Sequence, residues 1–138
     1  MLSANQTSVT GNGTVYTVPF DTEDFDIGSN YNSSTYTVEH PGVYDIQTQV
    51  MLGAITAVAD GALLEVFVSG SVLVEDRYGF DNNLPTTELT LKANCKLLLA
   101  VGDTLSVRVT IDGEAADTVT VFGNGNIRRS FLSMIRID

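Results

Sequence analysis

The sequence predicts an all-β fold, an antiparallel sandwich or jelly roll of about eight to ten short strands. Three observations carry that prediction. Apolar residues recur at every second position through several runs, as in Leu105, Val107, Val109 and Ile111 with Thr104, Ser106, Arg108 and Thr110 between them; this is the pattern of a strand buried on one face. Clusters of turn-forming residues separate the runs: Gly11-Asn12-Gly13, Gly28-Ser29-Asn30, Asp60-Gly61, Asp81-Asn82-Asn83-Leu84-Pro85, Asp112-Gly113 and Gly123-Asn124-Gly125-Asn126. No stretch holds the 3.6-residue period of an amphipathic helix.

In order along the chain, residues 1–13 are polar, contain glycine and lack a strand pattern, so they are expected to form an N-terminal arm, with residues 14–138 forming one jelly-roll domain. Thr14 to Val18 is the first run. His40-Pro41-Gly42 supplies a turn, since proline fixes φ and glycine tolerates positive φ. From Gly42 to Leu52 the chain alternates, with Tyr44, Ile46, Thr48, Val50 and Leu52 on one face and Val43, Asp45, Gln47 and Gln49 on the other. Gly53 to Leu64, with its Gly, Thr and Asp-Gly content, reads as a connecting loop. Leu63 to Ser69 and Val72 to Glu75 follow as strands. From Thr87 to Val101 every odd position after Thr87 is apolar; so long a run predicts a bulge or bend near Ala93-Asn94. Thr118 to Phe122 and Arg128 to Ile137 complete the set.

A spaced series runs through this framework: Phe20, Asp26, Tyr31, Tyr36, Gly42 and Tyr44. It resembles the signature of the globular head of complement's first component, whose jelly roll is shared with tumour-necrosis-factor-like proteins. Ile46 and Thr48 stand where the family carries aromatics, and the spacing between Tyr31 and Tyr36 is shorter than the family pattern. Ala100 to Val107 looks like the family's tight Gly-Asp turn between two late strands. Ser130 to Ile135, with Phe131, is similar to its final strand without the usual glycine. The resemblance spans residues 14 to 138 and implies a compact homotrimer. Candidates for the trimer interface are Leu97, Leu98, Leu99, Phe131, Leu132 and Met134, in segments apolar on both faces.

The acidic balance, seven Lys and Arg against seventeen Asp and Glu, is uneven along the chain. The first basic residue is Arg77, preceded by ten acids, so residues 1–76 carry −10 and the remainder, seven acids and seven bases, nets zero. That excludes nucleic-acid binding through the first part, since phosphate contacts need cations, and favours a basic partner or divalent cations. No apolar run reaches the ~18 residues of a membrane span. Met1 to Gln6 has neither a basic start nor an apolar core, so no signal peptide is expected.

The motifs of catalysis are missing. The single histidine, His40, sits in a Glu-His-Pro-Gly turn, no Gly-x-Ser-x-Gly surrounds any serine, and Cys95 reads as a buried small hydrophobe. One histidine and one cysteine cannot build a zinc site. The acidic run Asp21 to Asp26 lacks the spacing of a calcium loop and reads as solvated. The expectation is therefore a protein without enzymatic activity, cofactor or metal. The function expected is a virion structural protein, a trimeric decoration or cement protein on a bacteriophage capsid, made in cytoplasm and partnered by itself and the major capsid protein. The alternative is the receptor- or carbohydrate-binding head of a phage fibre or bacterial module, with Arg77, Tyr78 and Phe80 in its recognition loop.

Overall fold

Alternating runs become eleven strands among the residues that the computed structural model describes, which are 1–23, 30–32, 34–79 and 87–138. They are β1 (Gln6–Thr10), β2 (Val15–Thr17), β3 (Tyr31–Asn32), β4 (Thr35–Thr37), β5 (Gly42–Gly53), β6 (Gly61–Val68), β7 (Ser71–Gly79), β8 (Leu89–Leu99), β9 (Thr104–Asp112), β10 (Val119–Val121) and β11 (Phe131–Arg136). All pairings are antiparallel, as expected. Asp26 and Phe80 lie outside the described residues.

Two sheets form. In the first, β8 covers one edge of β5 from Gly42 to Leu52, while β11 and then β10 follow one another along its other edge, and β1 pairs with β10. In the second, β9 is central, with β6 and then β7 to one side and β4-β3 and β2 to the other. The core lies between them. Ile46, Val50, Leu52, Leu64, Val66, Leu105, Val109, Ile111, Val119 and Val121 are fully shielded; the alternation read from sequence puts Ile46, Val50 and Leu52 on one face of their strand and Leu105, Val109 and Ile111 on one face of theirs.

Several local expectations give way. The long run at β8 is straight: it pairs with β5 residue for residue and has no bulge at Ala93-Asn94. Backbone pairing along its full length holds it extended, which overrides the usual strand length. The register irregularity of the second sheet lies instead between Val66 and Phe67, where β7 carries an extra residue.

Residues 1–13 do not lack a strand. β1 sits on β10 through a bulge, with Ser8 in the left-handed region at φ 61°. Leu2 is in the core, 1% exposed, and the segment is fastened by Leu2 N–H to Ser130 O at 3.0 Å and Asn124 N–H to Leu2 O at 3.0 Å. The alternation was broken by the bulge, and only Val9 marks an apolar position within β1. Gly53 to Leu64 is likewise only partly loop, with the connection confined to residues 54–60. That loop is stapled from below by Glu114, 8% exposed, whose carboxylate accepts from Thr56 N–H and, at 3.0 Å, from Thr56 Oγ1.

Two turns match their sequence reading closely. Between β8 and β9, Gly102 adopts φ 86° and Asp103 accepts from Ala100 N–H and Ser69 Oγ, each at 2.8 Å. The Ala100 amide, then the Ser69 hydroxyl, holds the Asp103 carboxyl below its ordinary range. The signature glycine Gly42 has φ 157°, and a Cβ there would meet the exposed side chains of Asp138 and Arg136, at 2.3 Å and 2.6 Å, which would have to move aside.

Because Leu2 fills core volume, Leu2→Ala should lower unfolding free energy by about 3 kcal/mol, read from the denaturant midpoint. A loss below about 0.5 kcal/mol, the size of an ordinary surface change, would show that the N-terminal segment is not part of the folded unit.

Candidate functional site

The signature aromatics are drawn to one place by hydrogen bonds and register. Phe20, 4% exposed, donates its N–H to the Tyr31 hydroxyl at 3.0 Å, and Tyr31 stands opposite Tyr36 in the β3-β4 hairpin. Tyr36 in turn pairs with Leu105 of β9. Tyr44 points inward from β5 and donates its hydroxyl to His40 O at 2.7 Å, which fixes the turn before the strand. Burial, opposed by the Phe20 N–H bond, pushes the Tyr31 phenol up to about 12, so it stays protonated at neutral pH. Ile46 is completely buried.

These rings face β11 across a cleft of about 550 Å³, lined also by Phe131, Leu132, Met134, Arg128 and Arg136. Its size lies within the range of small-ligand sites. Among the described strands β11 pairs only with β5, so its second edge forms one wall of the cleft. The sequence assigned Phe20, Tyr31, Tyr36 and Tyr44 to the core and Phe131, Leu132 and Met134 to an interface; the fold brings the two sets together. His40, Asn30 and Ser133 also line the cleft and were not singled out as site residues. The register of β11 on β5 places Ser133 there, while Asn30 and His40 come from the segments flanking the β3-β4 hairpin.

A second surface is the outer face of the β8-β5-β11 ladder. Register puts Leu98 opposite Val43, and the Ile137 N–H donates to Val43 O at 2.9 Å, so these three residues form one cross-strand row. Lys96, Asp45 and Ile135 form the next, then Asn94, Gln47 and Ser133, then Lys92, Gln49 and Phe131. Leu98 is 79% exposed, Ile135 53% and Ile137 49%. Of the other interface candidates, Leu97 is half-buried and packs against the core, and Leu99, at 2% exposure, is spent inside the sandwich and has no surface left for a partner.

The recognition candidates Arg77 and Tyr78 occupy β7. Both are exposed; Arg77 lies 3.6 Å from Glu75, and Arg77 and Tyr78 border a second hollow of about 440 Å³ with Asp60 and Asp112. Arg128 and Arg129 lie in the turn before β11, where Arg129 stands 5.7 Å over the Phe122 ring. Burial, then the Asp45 charge, pushes the Cys95 thiol up, which disfavours the thiolate. Among the described residues no group of three or more His, Cys, Asp or Glu could hold a metal ion.

No known sequence family and no curated protein matches this chain. Solved structures do. Eiger, a tumour necrosis factor from S. frugiperda, superposes with a TM-score of 0.59 at 19% identity over 75% of this chain; the match spans 64% of the insect protein's length. The globular domain of zebrafish complement 1qA superposes with a TM-score of 0.59 at 14% identity, over 100% of this chain and 91% of that one. The chain has the jelly-roll fold common to the tumour-necrosis-factor and complement-head structures, as the Phe20-to-Tyr44 series led one to expect.

Proposed function

We propose that this chain is a non-enzymatic structural protein that assembles with itself as a homotrimer through the outer face of the β8-β5-β11 ladder. The observation that carries the reading is the Leu98-Val43-Ile137 row, with Ile135 beside it, at one end of the sheet, where Leu98, Ile135 and Ile137 are exposed and Val43 is half-buried. Contiguous apolar surface of this kind marks an interface. Each such side chain contributes roughly 1.5–3 kcal/mol when fully buried. A stable interface needs about 800 Å² from each partner, so the polar rows around Gln47 and Gln49 would be covered as well. Lys96 and Asp45, side by side in the second row, offer charges of both signs to a symmetry-related copy.

The finer reading is that the trimer is a decoration or cement protein on a bacteriophage capsid, seated on the major capsid protein. A sandwich with an exposed apolar row suits a repeated shell position, where burial across capsomer boundaries adds association energy. Because Leu2 and β1 are built into the sheet, attachment through a free N-terminal arm is not the way it would hold on.

A second reading has its own observation. The cleft beside β11 joins the half-exposed Tyr31, Tyr36 and Phe131 to polar groups from Asn30 and His40, a combination suited to stacking and hydrogen-bonding a sugar. It would make the chain the recognition head of a fibre or a ligand-binding module.

Three measurements separate these readings. Sedimentation velocity should give a trimer for the unaltered chain and a folded monomer for Leu98→Asp. A Leu98→Asp trimer would refute assembly through this face, and a monomeric parent would refute assembly itself. Quantitative mass spectrometry of purified particles should find hundreds of copies per virion for a decoration protein; a handful would place the chain on a fibre, and none would remove it from the virion. On a glycan array the parent should bind and Tyr36→Ala should lose at least about tenfold in signal if the cleft recognises sugars; no binding by the parent would end the second reading.

A further inference from the structure

Asparagine is followed by glycine twice in this chain, at Asn12-Gly13 and Asn124-Gly125. Without a Cβ, glycine leaves its amide nitrogen open to approach by the preceding side chain. The two sites differ in the groups that would have to react. Gly13 N–H donates to Ile111 O at 2.8 Å, so its nitrogen is held in the backbone network, and Asn12 Oδ1 accepts one hydroxyl, from Thr14 at 2.6 Å. Gly125 is exposed and its N–H has no hydrogen-bond partner among the described residues. Asn124 Oδ1 accepts from two backbone amides, Asn126 N–H at 2.8 Å and Ile127 N–H at 3.2 Å.

We propose that Asn124 is a site of spontaneous self-modification, and that Asn12 is protected from the same reaction. The Gly125 nitrogen, having lost its proton to hydroxide, adds to Asn124 Cγ, and the carbonyl electron pair moves onto Oδ1. The resulting oxyanion forms on the oxygen at which the Asn126 and Ile127 amides already point, a ready-made two-donor oxyanion hole. Collapse expels the side-chain nitrogen, which takes a proton from water and leaves as ammonia. The product is a five-membered succinimide, and water opens it at either carbonyl to give aspartate or isoaspartate. No electrons are exchanged with an outside reagent, and water is the only co-reactant.

The position gives the reaction a consequence. Asn124 N–H donates to Leu2 O, Leu2 N–H to Ser130 O, and Gly123 N–H to Asn5 Oδ1 at 3.1 Å, so the 123–130 turn is the clasp that fastens the N-terminal segment. Isoaspartate would insert a methylene into the main chain inside that clasp, and either product adds a negative charge a few residues before Arg128 and Arg129.

The test is mass mapping of the full chain, folded and in denaturant, incubated at mildly alkaline pH. In the folded protein Asn124 should gain one dalton at least about tenfold faster than Asn12, and the two should react at comparable rates once unfolded. Gly125→Ala should suppress the gain at 124 without touching Asn12, and modified protein should show faster amide exchange at residues 2–5 than unmodified protein. Equal rates at the two sites in the folded state would overturn the proposal, as would an Asn124 rate lower folded than unfolded. Unchanged exchange at residues 2–5 would overturn the link to the clasp.

Discussion

β5 is hydrogen-bonded along both edges, and the first sheet depends on that double pairing. β8 takes one edge for eleven residue pairs, from Gly42↔Leu99 to Leu52↔Leu89, while β11 and β10 share the other. A strand so placed cannot slip by one residue without turning Tyr44, Ile46, Val50 and Leu52 out of the core together. Register at β5 therefore fixes register in its neighbours. It sets which β11 residues face Tyr44 in the cleft and which β8 residues share a row with Val43. Gly53 at its end is held glycine by packing, since a Cβ there would stand 2.2 Å from the Phe122 ring that lies over it.

The edges of the two sheets are managed by different means, since an unpaired edge strand invites pairing with another chain. β7 exposes Val72, Leu73 and Tyr78, and the charged Glu75 and Arg77 interrupt that apolar surface. Where the β8 edge approaches β7, the Asp76 carboxylate reaches across and accepts the Lys92 N–H at 2.9 Å, so a side chain occupies a backbone donor that a foreign strand would otherwise use. At the opposite side β1 caps β10, but β1 is a bulged five-residue strand and does not extend along β11. The cleft exists because that cover stops where it does.

What the sequence revealed follows from the same physics. Strands buried on one face, such as β5, β8 and β9, imprint a strict alternation, and their apolar faces were legible one residue at a time. β1 was not, because its burial is carried by Leu2 and Thr10 on either side of a left-handed Ser8 and alternation does not survive a bulge. β3 and β4 are too short to show a period, and only the tyrosine spacing hinted at them. Phe20, Tyr31, Tyr36 and Tyr44 were found from that spacing, yet their meeting with Phe131, Leu132 and Met134 spans some ninety positions and exists only through pairing. Leu97, Leu98 and Leu99 show the converse: three adjacent leucines read alike, while the strand sends 97 and 99 inward and 98 to solvent.

The charge imbalance along the chain also changes meaning once the strands are paired. Residues 1–76 hold ten acids and no base, which in a linear reading points to a basic partner. Antiparallel pairing sets that half against the other: Asp45 of β5 stands opposite Lys96 of β8, and Glu65 of β6 opposite Arg108 of β9. Arg108 is engaged further, its guanidinium 3.7 Å over the Phe67 ring. Opposite charges on facing strands attract at short range, where screening is weakest, and contribute a few tenths to about 1 kcal/mol each. The acidic half is thus partly neutralised within the fold, and the net −10 is left as a diffuse charge that favours solubility more than it selects a cationic partner. Contact between copies would then rest on the apolar row at Leu98, beside which Lys96 and Asp45 add no net charge.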